Sequence, residues 1–243
     1  MEKNPQERLR WYGRRRGHKL RPRRQALVDN LLPRLRLEPA PEGASLDLAG
    51  LFPGPVSGIR LEVGFGAGEH LAAQAQIYPD AGFIGCEPFI NGVASLLALI
   101  EEDGLTNIRI FDDDARELLP CLPEAGIGKV YVLYSDPWPK KRHQRRRFIS
   151  DATLKMLART MADGAELLVA SDHMDYISGV LELMTRHADL SWQARSKRDW
   201  TEPPPDWVET RYEAKAKEQG RKPVYLRFLR NPRDQERDRE NTC

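Results

Sequence analysis

From Gly58 onward, short apolar runs alternate with longer stretches of helical period, and this alternation constrains the fold more than any other feature of the chain. Runs near 59–63, 82–86, 107–111, 129–135 and 165–171 read as strands; stretches near 67–77, 88–102, 147–161 and 174–187 read as helices. Strand and helix in succession specify a doubly wound, mostly parallel sheet, because each parallel return needs a crossover and the crossover helices cover the sheet faces. Two later runs, 190–194 and 223–229, bring the expected strands to seven and are placed to pair antiparallel at the sheet edge. The fold class expected is α/β.

The sheet region is expected over 59–231, with a charged tail at 232–243. Ahead of it lie a basic, flexible arm over 1–25, whose large apolar groups are Trp11 and Tyr12, and a segment over 26–58. That segment holds a short amphipathic stretch, Ala26 to Leu37, broken at Pro33, then a Pro/Gly/Ala-rich linker around Leu46 to Phe52. The net charge of +2 hides an asymmetry: residues 1–36 carry twelve Lys/Arg against Glu2, Glu7 and Asp29. A second cluster, Lys140 to Arg147, holds six Lys/Arg and His143 in eight positions. Positive charge this localised suits a polyanion such as RNA, or forms a solvated face. Cys86, Cys121 and Cys243 are too far apart for a disulfide framework or a zinc site, and His18, His70, His143, His173 and His187 show no metal-ligand spacing. No window approaches the roughly 18 apolar residues of a membrane span, and the N-terminus lacks a secretory apolar region. A cytoplasmic protein with no metal and no membrane partner is expected, as monomer or homodimer.

The first strand ends Leu61-Glu62-Val63-Gly64-Phe65-Gly66-Ala67-Gly68 and runs into a helix. Glycines there let the backbone turn sharply and approach a ligand closely. The second strand ends at Glu87, 19 residues after Gly68, where a carboxylate can accept hydrogen bonds from ribose hydroxyls. A dinucleotide fingerprint wants G-x-G-x-x-G, whereas Glu69 occupies the last of those positions here. Glu62 and Glu69 repel a pyrophosphate and suit a sulfonium with an α-ammonium, so S-adenosylmethionine is favoured over NAD and an oxidoreductase ranks last. The third strand leads to Asp112-Asp113-Asp114, read either as an acceptor for an adenine amino group or as an acidic helix cap. The fourth delivers Asp136-Pro137-Trp138-Pro139-Lys140 at its carboxyl end. Asp136 can accept the N1 and N2 protons of a guanine, Trp138 offers a stacking face worth roughly 1–3 kcal/mol, and Lys140, Arg142, His143 and Arg146 can meet phosphates. The plainer alternative is a surface turn with a half-buried tryptophan. Asp172 ends the fifth strand as a rim carboxylate or a helix cap. Thr210-Arg211-Tyr212-Glu213 is a charged loop, or a flap over the cofactor.

At these residues the chain resembles the tRNA (guanine-N7-)-methyltransferase family, Rossmann-like class I enzymes that depend on S-adenosylmethionine. The matching pieces are L-E-V-G-F-G-A-G-E, I-G-C-E, D-A-R-E-L-L, D-P-W-P-K-K-R-H-Q-R-R-R, S-D-H and T-R-Y-E, with a similar basic arm, Y-G-R-R-R-G-H-K-L-R-P-R. The resemblance implies that Glu62, Glu87, Asp114 and Asp136 line the cofactor site with the glycines Gly64, Gly66 and Gly68, and that Asp136 also serves catalysis. It further implies that Lys140, Asp172 and Thr210 to Glu213 meet a tRNA substrate, the target being a guanine of the variable loop. Two departures stand out: Tyr134-Ser135 where Phe-Pro is usual, and His173 where Trp is common. Competing readings are a methyltransferase for another RNA or a small aromatic, and a non-catalytic RNA-binding protein of the same fold.

Overall fold

The computed structural model describes residues 13–41 and 43–233; Trp11, Tyr12 and Cys243, with the rest of 1–12 and 234–243, lie outside the described residues. Strands β1 (Ile59–Val63), β2 (Gly82–Cys86), β3 (Ile108–Phe111), β4 (Ile127–Leu133), β5 (Met161–Ser171), β6 (Leu190–Trp192) and β7 (Val224–Arg230) form one sheet in the order β3-β2-β1-β4-β5-β7-β6. The helices are α1 (Pro22–Asn30), α2 (Leu32–Leu35), α3 (Glu69–Ile77), α4 (Ile90–Asp103), α5 (Ala115–Leu118), α6 (Asp151–Thr160), α7 (Met174–Thr185), α8 (Arg198–Thr201) and α9 (Arg211–Glu218). The antiparallel strand is β7, which lies between β5 and the edge strand β6 and runs against both. Among the described residues no helix is long and apolar enough to cross a membrane.

The boundaries have local causes. α3 starts at Glu69 because Gly68 is left-handed at φ 87°, and β4 stops at Leu133 because Tyr134 turns to φ 49°. α6 starts at Asp151, four residues later than the apolar pattern suggests, because Ser150 and Thr153 form a reciprocal capping box. The basic residues before it make a 3-10 turn, Lys141–Arg146. α1 begins at Pro22, where the fixed φ of proline suits a first helical position, so the helical segment is longer than the expected 26–37.

Contacts group the described residues into two compact units, divided between Pro123 and Glu124. In the first, Leu27, Leu32 and Leu35 from α1 and α2 join Leu71, Phe83, Leu96 and Ile110 in one core. β1 and β2 pair in parallel from Ile59 with Gly82 to Val63 with Cys86, and β2 and β3 from Phe83 with Ile108 to Cys86 with Phe111. All three carboxyl ends therefore emerge at one level: the Gly64 amide donates to the Cys86 carbonyl (2.8 Å) and the Glu87 amide to that of Phe111 (3.0 Å). Residues 13–25, expected in a flexible arm, are tied to this rim. Arg15 forms a bidentate pair with Asp113 (2.6 and 2.9 Å), its carbonyl accepts from the Ile90 amide (3.1 Å), and the Gly17 amide donates to Asn91 Oδ1 (2.8 Å).

In the second unit Tyr131, Leu133, Leu168, Ala170 and Tyr225 form a core against which Tyr134 and Trp207 pack. β4 and β5 are parallel up to Leu133 with Ala170, and β5 meets β7 antiparallel, Ser171 facing Val224. The end of β4, the end of β5 and the start of β7 consequently share one rim.

Candidate functional site

On the first unit's rim, Glu62 is 3% exposed and its Oε2 lies 2.7 Å from His70 Nδ1. His70 is a partner the sequence did not single out, since only the folding of α3 back toward β1 brings residues eight apart together. Gly64, Gly66 and Gly68 all have positive φ, at 71°, 60° and 87°. Gly68 could not carry a side chain for a second reason: a Cβ would stand 2.7 Å from Leu96. α4 comes closer still, where a Cβ on Gly92 would lie 2.1 Å from the Gly66 carbonyl oxygen. Glu87 joins the turn to the helix, its Oε2 accepting from the Gly66 amide and its Oε1 from the Phe89 amide, each at 2.9 Å.

The aspartate run divides its work. Asp112 pairs with Arg36 (2.7 Å) and Asp113 with Arg15. Asp114 caps α5 through the Arg116 amide (3.0 Å), and both of its oxygens take the Arg116 guanidinium. The helix-cap alternative thus describes Asp114 as it stands. A cavity of about 590 Å³ opens beside these residues, lined by Arg15, Arg16, His18, Lys19, Arg36 and Asn91 among others.

On the second unit's rim, Asp136 is exposed, yet enough protein surrounds it that desolvation raises its carboxyl above the usual range. The loop around it is strained at both ends, by Tyr134 at φ 49° and Trp138 at φ 40°. Trp138, His143 and Arg146 come together: the Arg146 guanidinium is 4.9 Å from the centre of the indole, and His143 meets it edge-on at 5.8 Å. Partial desolvation and the cations Arg146, Arg142, Lys140 and Arg145 hold the His143 pKa below its ordinary value, so the ring is largely neutral at pH 7 and the cluster's charge comes from its lysines and arginines. Lys140 and Arg142 are exposed.

Asp172 is mostly covered and paired with Arg221, which the connection between α9 and β7 carries to it. The stretch Thr210 to Glu213 is not a loop. Thr210 caps α9, its Oγ1 accepting from the Glu213 amide (3.1 Å). Arg211 and Tyr212 face outward, the guanidinium over the exposed phenol ring at 4.9 Å. Glu213 turns inward to complete burial, where Trp207 Nε1 (2.7 Å), Tyr225 OH (2.6 Å) and Lys217 Nζ (2.8 Å) donate to it. The signal was present in the spacing T-x-x-E, the pattern of a capped helix start. Among the described residues no three His, Cys, Asp or Glu side chains are grouped as a metal site.

The family described as "Putative methyltransferase" matches residues 57–226. A tRNA (guanine-N(7)-)-methyltransferase of Rhodospirillum rubrum is 52% identical over 235 residues, covering 96% of this chain and 92% of that protein. Proteins of the same name from Nitrobacter hamburgensis and Brucella abortus are 47% and 46% identical, each over 90% of this chain and over 86% and 94% of their own lengths. Among solved structures, an rRNA methylase from Streptococcus thermophilus superposes with a TM-score of 0.51 at 12% identity, and a 16S rRNA methyltransferase with 0.50 at 19%. Each covers 73% of this chain and 89% of that structure; at such identity they bear on the fold alone.

Proposed function

The chain belongs to the tRNA (guanine-N(7)-)-methyltransferase family, and from that premise we propose that it transfers a methyl group from S-adenosylmethionine to N7 of a guanine in the variable loop of tRNA. The observation that carries the reading is 52% identity across 96% of the chain to a relative of that name.

The first unit's residues fit the methyl donor. Gly64 has open space where a Cβ would stand, with nothing within 4 Å, so a ligand can approach the backbone of the turn, while Gly92 lets α4 pack closely against the Gly66 carbonyl. Glu62 and Glu69 would supply negative charge for a cationic sulfur and an ammonium, Glu87 would accept from ribose hydroxyls, and Asp114 would accept from the adenine amino group. When bound, S-adenosylmethionine supplies an electrophilic methyl group on positively charged sulfur.

Guanine N7 carries an in-plane lone pair and no proton, so no side chain has to act as a general base. Positioning and charge stabilisation remain as the tasks. Asp136 accepts the N1 and N2 protons of the base edge, and its negative charge offsets the positive charge that builds on the purine. It does both only when ionised. Trp138 offers its ring to a neighbouring base, while Lys140, Arg142 and Arg146 meet backbone phosphates. Arg16 and Lys19 of the cavity beside α4 and, on the second unit, Arg211 beside Tyr212 supply further positive charge for the RNA. Glu213 and Asp172 act by fixing α9 and the connection that follows it.

The test is incubation with labelled S-adenosylmethionine and bulk tRNA, followed by borohydride and aniline treatment. Strand cleavage at a guanine of the variable loop is expected; label on another base, or none in RNA, overturns the reading.

A further inference from the structure

The loop that presents Asp136 is held by tethers on the residues either side of it. Left-handed backbone at Tyr134 and Trp138 costs about 1–3 kcal/mol at each non-glycine residue and persists only where neighbours over-determine it. The neighbours are identifiable. The Tyr134 amide donates to the Ala170 carbonyl (2.7 Å), Ser135 Oγ and Tyr176 OH are 2.7 Å apart, and Arg147 Nε donates to the Pro137 carbonyl (2.9 Å). Tyr176, 0% exposed in the first turn of α7, joins the last two tethers, because the Arg147 guanidinium lies 5.3 Å from the centre of its ring. Its own amide donates to His173 Nδ1 at the helix cap (3.4 Å). Ser135, Tyr176, Arg147 and Pro137 thus form a closed chain of contacts whose gap is Asp136.

We propose that the Ser135–Tyr176 hydroxyl pair is a positioning device for Asp136, fixing the direction in which its carboxylate meets the acceptor base. Ser135 stands where a proline is usual in the resembling family. A proline would stiffen the loop through its own ring, whereas here a hydrogen bond to a buried helix does so. Burial pushes the Tyr176 phenol up to about 12, so it remains a neutral hydroxyl through the physiological range. The inference rests on the assignment of Asp136 to the guanine edge.

The test compares Tyr176→Phe, Ser135→Ala and the double variant with the parent in tRNA methylation. Each single change is expected to lower kcat about tenfold with KM for S-adenosylmethionine unchanged, and the double variant to be no slower than the worse single, since both remove the same bond. A purely structural role would lower the melting temperature and leave kcat below melting within twofold of the parent, which overturns the proposal, as does an additive double variant. If Tyr176→Phe melts below the assay temperature, Ser135→Ala, on the partly exposed partner, carries the comparison. An inactive parent would instead overturn the methyltransferase reading, so the two failures are distinct.

Discussion

Gly92→Ala isolates the backbone approach on which the donor site depends. Placed on an exposed helix, this change would stabilise the protein by about 0.8–1 kcal/mol through helix propensity. Here the new methyl would stand 2.1 Å from the Gly66 carbonyl oxygen and 3.3 Å from Glu87 Cγ. Ordinary contact requires the turn to retreat by about 1 Å, and overpacking of this kind costs roughly 1–3 kcal/mol. The two terms partly cancel, leaving a net loss of up to about 2 kcal/mol. The displacement falls on Gly66, whose amide Glu87 holds at 2.9 Å, and through it on the carboxylate assigned to the ribose. Losing well-aligned bonds to a charged group costs about 1.5–3 kcal/mol, or roughly 10–100-fold in affinity. Calorimetric titration with S-adenosylhomocysteine reads that loss, and thermal melting reads stability. Gly104→Ala is the control: at φ 64° in the C-cap of the same helix, with nothing within 4 Å of its Cβ, it costs about 1–2 kcal/mol of stability and leaves affinity alone. Affinity for Gly92→Ala within threefold of the parent, with a raised melting temperature, would refute the placement of the donor at this turn.

Asp136→Asn is expected to reduce turnover more than a hundredfold while melting no lower than the parent at pH 7. Burial raises the folded-state carboxyl pKa above its unfolded value, so folding favours the protonated form, and stability from this group is lost as pH rises through the folded pKa. By the same shift the parent's kcat should begin to fall, on acidification, at a higher pH than an ordinary carboxylate would set; a pH–rate profile checks this. Glu213→Ala leaves the Trp207 and Tyr225 donors buried without their acceptor and should cost about 3–5 kcal/mol in urea unfolding. A loss under 1 kcal/mol would show that the carboxylate does not organise α9. Replacing Lys140 and Arg142 by alanine should weaken tRNA binding and flatten its log–log salt dependence by about one for each phosphate left without its cation; an unchanged slope removes these side chains from the RNA surface.

The parallel strands were legible because each is buried on both faces and so reads as a nearly continuous apolar run: β1 and β2 fall on the residues the pattern marks. α9 was not, because Arg211 to Glu218 offers few apolar residues to reveal a helical period, and only its cap betrays it. The glycine turn and its acid were visible as spacing, since a strand–turn–helix fixes where a short-range carboxylate falls. Residue partnerships across the fold were not. Arg15 with Asp113, Ser135 with Tyr176, Asp172 with Arg221 and Glu213 with Tyr225 each join segments that only the tertiary fold brings together. Nothing local in the sequence distinguishes a buried, fully bonded Glu213 from its exposed neighbour Tyr212 until the helix is known.

The most direct measurement is nucleoside analysis of tRNA digested after incubation with the protein and S-adenosylmethionine. A gain of 7-methylguanosine in stoichiometric proportion to the donor consumed is expected, reduced more than a hundredfold in Asp136→Asn. Donor consumption that yields a different methylated nucleoside, or 7-methylguanosine formation undiminished in that variant, would contradict this expectation.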